Sequence, residues 1–180
     1  MTDIIRIQAE DFDAGRELDA LTKGRTDAGA VASFIGVVRD TNDGHAIRAM
    51  TLEHYPGMTE KALAEICQEA HGRWDILDTL VIHRIGPLAP GDRIVLVGVS
   101  SAHRGEAFQA CQFIMDYLKT RAPFWKKEHG PDGARWIEPS AQDHADRFGC
   151  VDRWPWGRAR AGPRLVGGGE RHGPMLPRSR

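Results

Sequence analysis

The sequence predicts an α+β domain, and three observations carry that reading. Ile94-Val95-Leu96-Val97-Gly98-Val99 is an unbroken apolar run between Arg93 and Ser100, as expected of a strand covered on both faces. Leu63, Ile66, Cys67, Ala70 and Trp74 recur at helical spacing. Several further short strand-like runs are set off by Gly- and Pro-containing turns, so strands and helices are mixed along one chain.

In order, Ile4 to Gln8 alternates weakly and reads as a first strand, and Asp13 to Thr22 as a short amphipathic helix. Ala28 to Arg39 is a long strand rich in small residues, closed by the loop chemistry of Asp40-Thr41-Asn42-Asp43-Gly44. Ile47 to Tyr55 is the next strand, broken by Pro56-Gly57. Thr59 can cap a helix running to about Trp74. Leu77 to Ile85 is a strand carrying His83 and Arg84, and Gly86 to Asp92 a turn-rich connection to the buried strand from Arg93 to Ser100. A helix follows from about Gly105 to Thr120, with Phe108, Cys111, Met115 and Leu118 on one face. Pro123 stops it. Arg135-Trp136-Ile137-Glu138 forms one more short strand.

The segment after Ser140 differs in kind. It holds eight arginines and no lysine, the run Gly167-Gly168-Gly169, and Pro155, Pro163, Pro174 and Pro177. The expected organisation is therefore a folded domain over 1–140 and an Arg/Gly/Pro-rich, largely disordered tail over 141–180.

Composition narrows the function. A chain of 180 residues with 41% hydrophobic content has room for a proper core, and a net charge of -1 argues against a whole-domain nucleic-acid binder. Cys67, Cys111 and Cys150 form no CxxC and no zinc-type spacing with the eight histidines, so no metal site is expected. So sparse a cysteine set fits a reducing compartment. No apolar run reaches membrane-spanning length, and Met1 to Arg6 lacks a signal peptide's apolar core; the expected location is the cytoplasm. Phosphate-loop, dinucleotide-binding, HExxH and GxSxG signatures are absent.

Three basic clusters remain: Arg39 at a strand end, His103-Arg104 at a helix start, and Lys119 through Lys127 where that helix stops. Strand ends and helix starts gather anion sites, and a guanidinium matches a phosphate bidentately. Each arginine taken singly also reads as a solvated surface charge. Lys119 and Lys126 read in two ways: as partners of a helix dipole, or as reactive amines whose pKa is lowered by Arg121 and Lys127 beside the apolar wall of Phe124 and Trp125. Cys67 and Cys111 fall on apolar helix faces and read as core.

Five blocks then converge. Phe34-Ile35-Gly36-Val37-Val38-Arg39, Leu52-Glu53-His54-Tyr55-Pro56-Gly57-Met58, His83-Arg84-Ile85-Gly86, Ser101-Ala102-His103-Arg104 and Tyr117 through Lys126 resemble the large, catalytic subunit of molybdopterin synthase, the MoaE family, in order and at family spacing over about Ile4 to Glu138. The resemblance implies an α/β-hammerhead domain with a mixed or antiparallel sheet and packed helices. It implies sulfur transfer to cyclic pyranopterin monophosphate from the C-terminal thiocarboxylate of a small ubiquitin-like carrier of MoaD type, with no cofactor. It further implies a homodimer within a heterotetramer. Lys119 matches the lysine beside the thiocarboxylate and Lys126 the second catalytic lysine. Arg39, His103 and Arg104 match the pterin-phosphate site, with His103 a further acid or base. Val37, Val38, Lys127 and Glu128 fall in substrate-contacting segments. Val37 stands where members often carry lysine, Ser140 where some carry an arginine that reaches a neighbouring subunit, and the tail beyond Phe148 has no counterpart. Two other classes stay open: a module that docks the carrier without turnover, and a nucleic-acid-associated protein acting through its Arg-rich tail.

Overall fold

A computed structural model describes residues 2–42 and 44–137. In chain order the elements are β1 (Thr2–Gln8), α1 (Ala14–Thr22), β2 (Ala30–Val37), β3 (Thr41–Asn42), β4 (His45–Ala46), β5 (Ala49–His54), α2 (Met58–Arg73), β6 (Ile76–Arg84), β7 (Gly86–Leu88), β8 (Arg93–Ser101), α3 (Arg104–Arg121), β9 (Phe124–Gly130) and β10 (Gly133–Ile137).

Two four-stranded sheets organise the domain, one in the order β1-β6-β8-β2 and one in the order β10-β9-β5-β7. Among the described residues only β1 and β6 pair in parallel. The α+β class expected from sequence is therefore the fold observed.

The apolar runs of β6 and β8 are continuous because helices cover both faces of the first sheet. Val81, Val95, Val97 and Val99 point to α2 and α3, where they pack with Leu63, Ile66, Phe113 and Ile114. Leu80, Ile82 and Leu96 point the other way, against Phe12 and Leu21. Gly98 lets α1 approach: a Cβ there would lie 2.9 Å from both Leu18 and Leu21. A smaller cluster of Val38, Ile47, Met50, Leu52 and Leu88 underlies the second sheet. No helix among the described residues is long and apolar enough to cross a membrane.

Five local expectations change. Thr59 does not cap α2; Gly57 does so at φ 80°, a conformation that suits glycine, and its N–H donates to Glu60 Oε2 at 2.7 Å. Thr59 is instead fully buried, its hydroxyl bonded to Tyr55 and 3.2 Å from the carbonyl of Pro123. The Asp40–Gly44 loop contains half of a small ladder, with Thr41 opposite Ala46 and Asn42 opposite His45. The turn-rich connection after Ile85 includes β7, paired with β5. α3 stops before Pro123 as expected, but the stretch that follows is a strand, β9, which has no counterpart among the elements predicted from sequence. Phe108 is 64% exposed: α3 buries Ala107, Ala110, Cys111, Ile114, Met115 and Leu118, and Phe108 falls off that stripe.

Candidate active site

A cavity of about 760 Å³ opens where the end of β2, the last turns of α3, and strands β5 and β9 meet. Arg39, Lys119 and Lys126 all line it, although they are remote in sequence. Each is placed by a separate local cause. A bulge between Gly36 and Val37 shifts the β2–β8 register, so that Val37 faces Arg93, and Ile94 is left to line the cavity. Arg39 lies two residues beyond that bulge. Lys119 is in the last turn of α3. Lys126 faces inward because side chains alternate along β9, with Phe124 also lining the cavity and Trp125 turned out and 47% exposed. Trp125 is thus no wall for the lysines.

The floor is apolar, built from Phe34, Met50, Leu52, Met115, Leu118 and Phe124. His83 joins it, only 5% exposed, its ring stacked on Phe124 at 3.8 Å between centroids. His83 Nδ1 donates to the carbonyl of Arg84 at 2.8 Å, so Nε2 is the ring's acceptor. Burial pushes its pKa down to about 4, against the opposing pull of the Arg84 hydrogen bond. The imidazole is therefore neutral at physiological pH.

Behind the lysine sits a buried carboxylate. Glu128 Oε1 is 3.1 Å from Lys126 Nζ and accepts from Asn42 Nδ2 at 3.0 Å, while Oε2 accepts from Arg135 Nη2 at 3.2 Å. Burial alone raises the Glu128 pKa, but these donors outweigh it and hold the carboxyl below its ordinary value. Arg39 Nη2 donates to Asn42 Oδ1 at 3.0 Å.

The remaining candidates from sequence are placed differently. Val37 lines the cavity and is 51% exposed. Val38 is 3% exposed, its side chain in the core beside Met50 and its N–H and carbonyl engaged by Asp92 and Gly91, so it offers a ligand no free group. Lys127 points to the opposite face of β9, 5.3 Å over the Trp136 ring. Glu128 touches the cavity's cations rather than its open space. His103 and Arg104 are exposed at the start of α3. Lys119 is fifteen positions along the helix from Arg104, about 23 Å at 1.5 Å per residue, so one chain does not bring them to the same cavity. Glu138, Ser140, Phe148, Cys150 and the tail lie outside the described residues.

Sequence reasoning assigned no role to Asn42 and Arg135 and gave none to His83 despite singling out its block. Polar residues in loops and at strand ends give no periodic signal. The two described cysteines are core, as expected: burial raises Cys67 to about 11, the Thr79 hydrogen bond opposing, and Cys111 to about 12. Both stay thiols at neutral pH, so neither is a ready sulfur nucleophile.

The "MoaE protein" family model matches residues 7–121. The chain is 63% identical over 150 residues to the molybdopterin synthase catalytic subunit of Ralstonia nicotianae, covering 83% of each. It is 58% identical over 150 residues to that of Escherichia coli, covering 83% of this chain and 97% of the other. A match covering 150 of 180 residues necessarily includes 31–150, hence Lys126 as well as Lys119. Among solved structures, the MoaE protein from Burkholderia ambifaria superposes with a TM-score of 0.70 at 52% identity, covering 82% of this chain and 98% of that one. The molybdopterin synthase of Staphylococcus aureus does so with 0.68 at 34% identity, covering 73% and 95%. With the family model, the curated relatives and the fold in agreement, the chain belongs to the MoaE family.

Proposed function

We propose that this chain is the sulfur-transferring subunit of molybdopterin synthase. It moves sulfur from the C-terminal thiocarboxylate of a small ubiquitin-like carrier to cyclic pyranopterin monophosphate, forming the dithiolene of molybdopterin. The observation that carries the reading is the convergence of Arg39, Lys119 and Lys126 on one apolar-floored cavity. An apolar floor accepts a flat heterocycle, and three cations answer a phosphate and an incoming thiocarboxylate. The two described thiols are buried and protonated, so neither is suited to supply the sulfur. Each of two transfers makes a carbon–sulfur bond on the pterin in place of a carbon–oxygen bond and breaks the carrier's own carbon–sulfur bond, water supplying the oxygen that returns its terminus as a carboxylate. Lys119, at the end of α3, is the residue we assign beside the thiocarboxylate; Lys126 steadies the substrate from β9, and Arg39 the phosphate.

Docking of a partner is supported by β2. It is an edge strand of its sheet, and Phe34, Ile35 and Val37 are each at least 41% exposed along it. His103 and Arg104 enter this reading only through a second copy of the chain, since in one chain they stand at the far end of α3.

The test is reconstitution with thiocarboxylated carrier and cyclic pyranopterin monophosphate, reading molybdopterin formed. Wild type should turn over. Lys119→Ala should abolish transfer while leaving the melting temperature and carrier binding unchanged; near-normal turnover in that variant overturns the assignment. Carrier binding without wild-type turnover would instead mark a docking module.

A further inference from the structure

The hairpin that follows Arg39 presents one side chain that both accepts and donates. Asn42 Oδ1 accepts from Arg39 Nη2 at 3.0 Å, and Asn42 Nδ2 donates to Glu128 Oε1 at 3.0 Å. The amide orientation follows from its neighbours, because a guanidinium can only donate and an ionised carboxylate can only accept. The same Glu128 oxygen lies 3.1 Å from Lys126 Nζ. Arg135 Nη2 closes the arrangement, reaching both the Asn42 carbonyl at 3.3 Å and Glu128 Oε2 at 3.2 Å. Asn42 itself is fixed by pairing with His45 across the β3–β4 ladder. Two cations of the cavity wall, 87 positions apart in sequence, are thereby referred to one buried carboxylate.

We infer that Asn42 is a positioning residue for the reaction: its amide aims the Arg39 guanidinium into the cavity without itself neutralising that charge. The inference rests on the reading of Arg39 as the phosphate-holding group. The physical point is the choice of partner. Arg39 is exposed at a strand end and, unrestrained, would lose rotamer freedom on binding. A carboxylate at position 42 would restrain it too, but would neutralise it and oppose Glu128. A neutral amide restrains the guanidinium and keeps its full charge for the substrate. Arg135, 41% exposed, supports this arrangement by bonding both the Asn42 carbonyl and Glu128.

The experiment compares Asn42→Ala and Asn42→Asp in the full chain with its carrier at about pH 8, where an added carboxylate is ionised. Asn42→Ala should raise KM for the pterin phosphate about tenfold, the weight of one hydrogen bond to a charged group, with kcat within about twofold. Asn42→Asp, though isosteric and able to hold the hairpin, should raise KM at least as much. Because a carboxylate at position 42 also opposes Glu128, melting temperature is read alongside: a merely structural role predicts that KM follows the loss of stability across the two variants and that Arg39 rotation is unchanged. Inorganic phosphate binding, followed by ³¹P NMR, reads the site without turnover and should weaken in parallel. The ¹⁵N spectrum of the Arg39 guanidinium should show faster side-chain rotation in Asn42→Ala. Wild-type KM, phosphate affinity and Arg39 rotation in Asn42→Ala overturn the inference while leaving the proposed function standing. Absence of wild-type turnover overturns the proposed function, and the phosphate and ¹⁵N measurements then still decide this one.

Discussion

Lys126 Nζ stands 3.1 Å from Glu128 Oε1, on the same face of β9 and two residues apart. The carboxylate is nearly closed to solvent, whereas the lysine is 34% exposed and open to the cavity. This is an anchored cation: its base is held by a buried charge, and its outer side faces whatever the cavity contains.

Glu128→Gln is therefore informative. It keeps the shape and the bond from Asn42 but removes the charge opposite Lys126 and Arg135. Loss of one charge-assisted hydrogen bond should cost roughly 1–3 kcal/mol of stability and at least tenfold in kcat/KM. Thermal melts and steady-state kinetics check it. The sign with pH follows from a carboxyl held below its ordinary 4.5: the ionised pair contributes fully above that value, and its contribution is lost as pH falls through the folded-state value. In Glu128→Gln that segment of the acid-unfolding curve should flatten.

His83 titrates oppositely in cause, though not in direction. The unfolded chain takes up its proton near 6.5, while the folded chain resists until about 4. Between those values the unfolded state binds more protons, so stability falls as pH drops from 6.5 towards 4 and changes no further below that. The loss is on the order of 3 kcal/mol from this one group. His83→Gln should remove that slope in denaturant melts between pH 7 and 4, and a slope equal to that of the wild type would show that His83 is not the group responsible.

Legibility in the sequence was uneven for physical reasons. The strands β6 and β8 and the helices α2 and α3 were readable because apolar burial dictates their spacing, on both faces in one case and along one stripe in the other. β9 was not, because its inward positions are Phe124, Lys126 and Glu128: a strand face aimed at a charged site carries no hydrophobic alternation. Phe108 misled in the opposite way, as a large apolar residue close in sequence to the buried stripe but turned to solvent. Arg39, Lys119 and Lys126 could be named from the family blocks, and Pro123 marks the end of α3, yet their convergence also needed the β2 bulge, which has no sequence signature. The Asn42–Glu128 bond links residues 86 apart and no local pattern announces it.

The position of His103 and Arg104 gives the sharpest test of assembly. Within one chain they are separated from Lys119 by nearly the whole of α3, about 23 Å, too far for a single small substrate to span comfortably. If two copies pair about a two-fold axis, each chain lends its helix start to the other's cavity, and the two sites are equivalent. Lys119→Ala and Arg104→Ala chains would then each be impaired alone. Mixed in one dimer, they form one site lacking both groups and one site with both intact. Co-expression with two affinity tags, tandem purification of the mixed dimer and reconstitution with carrier should recover one working site per dimer, about half the wild-type turnover. If each cavity instead worked only with groups of its own chain, the mixed dimer would show no more than the average of the two parent variants. That outcome would show that Arg104 does not serve the cavity of a second copy.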